Sequence, residues 1–360
     1  KENTMENLKR LISFWSNKKV FITGHTGFKG SWLLIFLNIL GAKLYGYSLK
    51  PEKKSLFNKV IGFIKLKKNI NNDIQNLKVL TKTLKRIKPD IVFHLAAKSL
   101  VGESYRNPVK TFNTNITGTL NILEAARSIS SIRSVIIVTT DKVYKIKKGN
   151  MMYSEKSELG GNDPYSSSKA CAELITNSYI KSFFNNSRLK NRISTVRSGN
   201  VIGGGDFSKD RLVPDIIKSI GKSNKLIIRN PKYIRPWQHV IEPLFGYILL
   251  AEKQYLKKIK SEDRSWNFGP GNQNFVRVID IVNIFKKKAK IKLIKIQKDK
   301  IKETEILKLN SKKARSRLKW KAKWNINTTV DKMIEWNNNA NNKIKIFKIC
   351  EKQIYDYLNS

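Results

Sequence analysis

The sequence predicts an α/β fold built on a doubly wound parallel sheet, with a smaller lobe in the C-terminal half. Three observations predict it. A β-branched and aromatic run, Val20-Phe21-Ile22-Thr23, meets glycines at 24, 27 and 30 and then an apolar segment of helical length from Ser31 to Leu37. Strand-like and helix-like segments alternate from there to about residue 200, the pattern of successive βαβ units. Ile91-Val92-Phe93-His94-Leu95 is almost continuously apolar, as a parallel strand buried on both faces must be.

The first of these is the most informative. Strand, glycine turn and helix in that order let the backbone approach a pyrophosphate at a helix N-terminus, where free N–H groups and the helix dipole favour anions. The rest of the composition sets bounds. A chain of 360 residues with 40% apolar side chains has ample material for a core. Its 71 Lys and Arg against 27 Asp and Glu give a net charge of +44. Such a charge suits a polyanion partner, but the lysines are scattered over every region and far outnumber the arginines, so biased composition is the reading adopted. Neither a specific nucleic-acid partner nor a membrane is expected. Cys171 and Cys350 have no metal-ligand spacing, and no metal is expected. No apolar run reaches the ~20 residues of a membrane span. Residues 1–19 are polar and charged, unlike a signal peptide, so a cytoplasmic location is expected.

Taken in order, residues 1–17 form a helical lead-in, with Leu8, Leu11, Ile12 and Trp15 at helical spacing. Residues 18–200 form the first domain. Lys43 to Tyr47 is its second strand, followed by Ser48, Leu49 and Lys50, with no acid to hold ribose hydroxyls; this leaves NAD and NADP both open. Residues 53–72 are Lys-rich and show no clear pattern. Asp73 and Ile74 precede a helix from Leu77 to Ile87. Ala96 and Ala97 after the third apolar strand admit a flat ligand or a tightly packed helix. Val109 to Arg127 has helical periodicity, with Asn115 inside it. Val135 to Thr139 is a strand ending in Thr140-Asp141-Lys142, at the sheet edge where ligands bind in this class. Tyr165 and Lys169 are four apart on a helix running to about Phe184. Ile193 to Arg197 is a further strand, leading to Asn200 and the glycines 203–205. Residues 201–340 are expected to be mainly a substrate-binding lobe, from Asp206 to Pro243 and from Trp266 onward, with some segments returning to the first domain. That lobe carries Arg235-Pro236-Trp237-Gln238-His239-Val240. Residues 341–360 are a Lys- and Asn-rich tail whose Phe347, Ile354 and Tyr357 could pack as a helix.

Tyr165 and Lys169 form the strongest candidate catalytic pair. Tyrosine has a pKa near ~10, and an ammonium one helical turn away stabilises its phenolate. Such a phenolate can take a hydroxyl proton while the attached carbon gives up hydride. Alone, a Tyr-x-x-x-Lys pair is a common surface feature; placed after a nucleotide-binding turn it reads as function. Asp141 and Lys142 are either a solvated strand end or an acid and a base acting on neighbouring carbons of a bound ketone.

These motifs together resemble the extended short-chain dehydrogenase/reductase family, the NAD-dependent epimerases and dehydratases. The resemblance rests on Thr23-Gly24-His25-Thr26-Gly27-Phe28-Lys29-Gly30, Thr139-Thr140-Asp141-Lys142, Tyr165 with Lys169, Gly199 to Asp206 and Arg235 to Val240, and it covers about residues 18–340. Lys142 in the Thr-Asp-Lys run, with His25 and Lys29, is similar to the branch acting on CDP-glucose. The resemblance implies a Rossmann-like domain and tightly held NAD. It places Gly24, His25, Gly27, Phe28, Lys29 and Gly30 at the pyrophosphate, Asp73 and Ile74 beside adenine, and Leu95, Ala96, Ala97 and Asn115 along the cofactor. Lys169 bonds the nicotinamide ribose. It further implies that Tyr165 deprotonates the glucose 4-hydroxyl, Thr140 holds that oxygen, Lys142 removes the C5 proton and Asp141 assists loss of water from C6. Asn200 and Arg235 hold the substrate diphosphate, and the chain forms a homodimer or higher homo-oligomer. In the adenine loop, Gln75-Asn76 replaces the usual Arg-Asp. Two other readings keep part of this: an epimerase or oxidoreductase using Tyr165 and Lys169 without Asp141 and Lys142, and a degenerate member that binds polyanions.

Overall fold

The computed structural model describes residues 2–147, 149, 151–221, 226–289, 291, 294–297, 304–340 and 342–360. Its strands are β1 (Lys19–Thr23), β2 (Lys43–Ser48), β3 (Leu66–Asn71), β4 (Ile91–His94), β5 (Ser134–Val138), β6 (Met152–Tyr153), β7 (Ile193–Ser198), β8 (Asn200–Ile202), β9 (Leu226–Arg229), β10 (Ile234–His239), β11 (Ser265–Phe268), β12 (Phe275–Arg277), β13 (Ile294–Gln297) and β14 (Lys308–Leu309). Seven of them form one parallel sheet in the order β3-β2-β1-β4-β5-β7-β11. Sheet building reverses direction between β1 and β4, and a crevice opens there beyond the carboxyl ends of the strands.

Helices cover both faces because strand side chains alternate. Val20 and Ile22 of β1 join one core with Trp32 to Leu37, Leu244, Tyr247 and Ile354. Phe21, between them, joins the other with Leu80, Leu84, Ile122, Leu123 and Ile180. The lead-in is a helix, Glu2–Trp15, that buries Leu11 and Trp15 in the first core.

Two regions differ from the sequence reading, and the C-terminal stretch packs as the helix its apolar residues allow. Residues 53–72 contain a helix, Leu56–Val60, and the edge strand β3. Three consecutive residues of β3, Lys67, Lys68 and Asn69, are exposed, so the strand lacks the apolar pattern of its neighbours; lysines on a sheet edge also discourage pairing with other chains. The stretch from Trp266 does not begin the smaller lobe. Trp266 pairs with Val196 as β11 completes the large sheet, and Trp266 and Phe268 are fully buried in its core. The C-terminal stretch is a 17-residue helix, Lys343–Asn359, seated on the helices Phe28–Ile39 and Leu56–Val60. Phe347 stacks on Phe63 at 5.1 Å, and the Tyr357 hydroxyl donates to Glu242 at 2.6 Å.

The smaller lobe contains β8-β10-β12 and a separate core of Val213, Ile216, Trp237, Ile281, Phe285 and Val330. β8 and β10 run parallel, with Asn200 opposite Trp237. Among the described residues no helix is long and apolar enough to cross a membrane.

Candidate active site

Backbone geometry explains the glycines of the first turn. Gly24 has φ +71°, and a Cβ there would sit 2.6 Å from the Ala96 amide nitrogen. A Cβ on Gly30 would lie 2.2 Å from the Gly24 carbonyl oxygen. No side chain caps the helix Phe28–Ile39, whose first turn therefore faces the crevice with backbone N–H groups. This cradle fits a dinucleotide pyrophosphate. Leu95, Ala96 and Ala97 are half-buried along its floor, tied to it by the Ala96 amide, which donates to Thr23 Oγ1 at 3.2 Å.

The loop of residues 73–76, expected beside adenine, is pinned from several sides. Asp73 Oδ1 accepts from the Gln75 amide at 2.9 Å, and Asn121 Nδ2 donates to the carbonyls of Ile74 and Gln75 at 3.0 and 2.9 Å. Asn76 accepts from the Val79 amide and caps the helix Leu77–Ile87. Asn and Asp cap helices about equally well, so the replacement of the usual acid leaves this loop intact. The Ile74 side chain enters the core against Gly118.

Two residues of the turn send their side chains elsewhere. His25 is buried beneath β2 and β3, its Nε2 2.9 Å from Asn69 Oδ1 and its ring filling the space above Gly46. Burial keeps it below its usual pKa, hence neutral. Lys29 reaches across the crevice to donate to Ser198 Oγ at 2.8 Å. Burial, with Arg211 nearby, lowers Lys29 to about 7. Asn115 is likewise committed: Oδ1 accepts from the Lys98 amide at 2.8 Å, and Nδ2 donates to the Lys98 carbonyl at 3.0 Å and to Ser168 Oγ at 2.8 Å. It ties the loop after β4 to the helix carrying Tyr165.

That helix, Pro164–Tyr179, starts where it does because Asp163 caps it, accepting from the Ser166 amide at 2.9 Å, with Pro164 at the first position. Tyr165 and Lys169 thus occupy its first two turns, with Lys169 at the end of β5 and Tyr165 beside Thr140 just beyond it. Lys169 Nζ donates to the Val138 carbonyl at 2.9 Å. Burial lowers Lys169 to about 8, with Glu173 one turn on pulling it back up. Burial pushes the Tyr165 hydroxyl up to about 12, while hydrogen bonding with Thr140 pulls the other way.

Thr140, Asp141 and Lys142 sit on a short 3-10 turn immediately after β5. Thr140 Oγ1 donates to Asp141 Oδ1 at 3.1 Å and accepts from the Lys142 amide at 3.4 Å. Asp141 is 2% exposed, and its Oδ2 has no protein partner among the described residues. Burial raises its pKa against the opposing pull of Lys142, Thr140, Arg235 and Lys29. Arg235 is buried on β10, its guanidinium over the Tyr233 ring and its Nη1 bonded to the carbonyls of Ile234 and Glu305 at 3.0 and 3.1 Å. Asn200 stands half-buried on the neighbouring strand. A tyrosine, a threonine, a protonatable carboxyl and several cations therefore converge at one end of the sheet.

Residues 21–333 match the family model described as GDP-mannose 4,6 dehydratase. The chain belongs to the GDP-mannose 4,6-dehydratase family. A relative in sequence is the CDP-glucose 4,6-dehydratase of Salmonella typhimurium, 39% identical over 97% of this chain and 98% of that protein. The UDP-glucose 4-epimerase of Mycoplasma genitalium is 30% identical over 73% of this chain and 80% of its own length. Among solved structures, the dTDP-glucose 4,6-dehydratase of Bacillus anthracis in complex with NAD superposes with a TM-score of 0.75 over 90% of this chain and 97% of that one, at 20% identity.

In this member of the dehydratase family, side chains that the sequence did not single out complete the site. Ser198 accepts from Lys29 and also from the Tyr247 hydroxyl at 3.1 Å. Arg211, held by Asp206 at 3.2 Å, lies near enough for its charge to act on both Tyr165 and Lys29. Thr26 Oγ1 and Ser48 Oγ are 2.8 Å apart at the end of β2, where dinucleotide-binding folds commonly carry a ribose-binding acid and the sequence has none. Apart from Arg211 with Asp206, these pairs are far apart in sequence, so no local motif announces them.

Proposed function

We propose that this chain is a CDP-glucose 4,6-dehydratase that converts CDP-glucose to CDP-4-keto-6-deoxyglucose and water. The observation that carries this reading is the adjacency of two acid–base sets: Tyr165 with Lys169, and Asp141 with Lys142, joined through Thr140. The 39% identity to the Salmonella enzyme over nearly the whole chain supports the same reaction and the same nucleotide. NAD would supply hydride-accepting and hydride-returning chemistry when bound. Gly24, Gly27, Phe28 and Gly30 would hold its pyrophosphate, Asp73 would shape the loop beside its adenine, and Leu95 to Ala97 would line its path. Thr140 orients the sugar 4-oxygen while Tyr165 takes its proton. Oxidation at C4 acidifies the C5 hydrogen, which Lys142 removes. Asp141 passes its proton to the departing C6 hydroxyl, which leaves as water. Reprotonation at C5 completes the product. Asn200 and Arg235 hold the diphosphate, Arg235 as a charged fork.

The test is incubation with CDP-, dTDP-, GDP- and UDP-glucose in turn, with added NAD, followed by mass spectrometry. Loss of one water from CDP-glucose alone is the expected result. Loss from another nucleotide sugar instead overturns the base assignment, and an unchanged mass with all four overturns the reaction.

The chain is also proposed to pair as a homodimer through its helices Gly118–Arg127 and Pro164–Tyr179. Leu120 and Leu174 are exposed there at 37% and 57%, and Phe183 just beyond at 45%. Leu174→Arg is expected to halve the solution mass measured by light scattering; a monomeric wild type overturns this.

A further inference from the structure

Beneath the catalytic residues lies a buried polar network that the reaction itself does not use. Glu173, one turn beyond Lys169, accepts a two-pronged bond from Arg197, from Nε at 2.8 Å and Nη2 at 2.7 Å. The same carboxylate accepts from Thr139 Oγ1 at 2.5 Å and from Thr195 Oγ1 at 2.6 Å. Arg197 Nη1 donates to the Tyr144 hydroxyl at 2.9 Å, and that hydroxyl donates to Asn267 Oδ1 at 2.6 Å. Glu173 and Arg197 side chains are each 3% exposed. One carboxylate therefore ties the Tyr165–Lys169 helix to β5 and β7, and its arginine extends the tie to β11 and to Tyr144, the residue after the Asp141–Lys142 turn.

A buried ion pair is a poor source of net stability, because desolvation of both charges offsets their attraction. Its position gives it another use. Thr139 immediately precedes Thr140, and Tyr144 closes the turn on the other side. The two acid–base sets are thus referenced to the same carboxylate.

We propose that the Glu173–Arg197 pair is a positioning device, which fixes the Thr140–Asp141–Lys142 turn against the Tyr165–Lys169 helix and keeps Lys169 in its ammonium form during the reaction. The inference rests on the function proposed above. The groups around Lys169 are Glu173 and Tyr165 on its own helix, the Val138 carbonyl on β5, neutral His94 on β4 and Lys29 across the crevice, whose lowered pKa makes it lose its proton before Lys169. Glu173 is the negative charge among them. Burial opposes ionisation of Glu173, but Arg197, Thr139 and Thr195 outweigh it and hold the carboxyl below its usual pKa.

The experiment replaces both partners at once, Glu173→Gln with Arg197→Met, so that no lone charge stays buried. kcat is read against pH on CDP-glucose. The alkaline limb, where Lys169 loses its proton, is expected to fall by about one pH unit. kcat at neutral pH is expected to drop about tenfold with KM unchanged. Glu173→Asp keeps the charge but shortens the reach, and is expected to restore the alkaline limb without restoring kcat. An alkaline limb that coincides with that of the wild type overturns the electrostatic role. If the double variant fails to fold, Glu173→Asp decides alone: wild-type kcat overturns the positioning role. A wild type inactive on CDP-glucose overturns the proposed function instead, a result separable from these.

Discussion

Tyr165→Phe is expected to lower kcat about a thousandfold while leaving nucleotide-sugar binding unchanged. The ring is buried and packs in place without its hydroxyl, so the variant removes the acid–base group and little else. The energetics indicate what that hydroxyl needs. Burial sets it at about 12, so ionisation near neutral pH requires about 5 units, or about 7 kcal/mol. A single cation at about 4 Å supplies about 4 kcal/mol at an effective dielectric of about 20. Arg211 is the cation whose charge already favours the phenolate, Lys169 one helical turn on is expected to add to it, and oxidised NAD would supply a further positive charge when bound. The acid limb of the kcat profile is therefore expected to follow Tyr165, and Lys169→Met is expected to move it to higher pH. Steady-state kinetics with calorimetric binding check both statements. Retention of more than about a tenth of wild-type kcat in Tyr165→Phe removes the residue from the reaction.

Asp141→Asn and Lys142→Met are expected to separate oxidation from water loss. Tyr165 and Lys169 remain able to oxidise C4, so reduced nicotinamide builds up by its near-ultraviolet absorbance. Deoxysugar formation falls by at least about a hundredfold in each variant, and mass spectrometry finds the 6-hydroxyl retained. If both variants yield deoxysugar at the wild-type rate, the turn takes no part in elimination. Stability runs the other way for Asp141→Asn. A carboxyl whose pKa is raised on folding binds more protons in the folded than in the unfolded state. Its contribution to stability therefore falls as pH rises above the unfolded value near 3.8. The neutral amide escapes that loss, so the variant is expected to melt no lower than the wild type near neutral pH. Such a result marks Asp141 as a group kept for chemistry at a cost in stability.

What could be read in the sequence divides along a physical line. The β1 turn, the strand-end residues 140–142 and the Tyr165–Lys169 spacing are local patterns, legible because one strand or one helical turn encodes them. β3 was not, because an exposed edge strand needs no apolar alternation. Nor was the return of Trp266 to the large sheet, since burial on both faces of a short strand leaves no periodicity to count. Within the site, the direction of a side chain was the hidden variable. His25 and Lys29 lie within the same turn, yet one is packed under β2 and the other crosses to Ser198. Asn76 differs from the family pattern in sequence and keeps the cap in structure. Glu173, Arg197 and Tyr144 are separated by tens of residues and meet only when three strands and a helix assemble.

The helix at 343–359 gives the protein a timing constraint. It covers a core that includes Leu33, Leu34, Phe36 and Ile241, residues made long before it. Ribosomes deliver chains from the N-terminus, so each nascent molecule carries that surface uncovered until the helix emerges and Tyr357 meets Glu242. Sealing of the nucleotide-binding domain therefore waits until residues 343–359 have been made, and premature termination upstream of the helix leaves a sticky apolar face for chaperones and proteases to find.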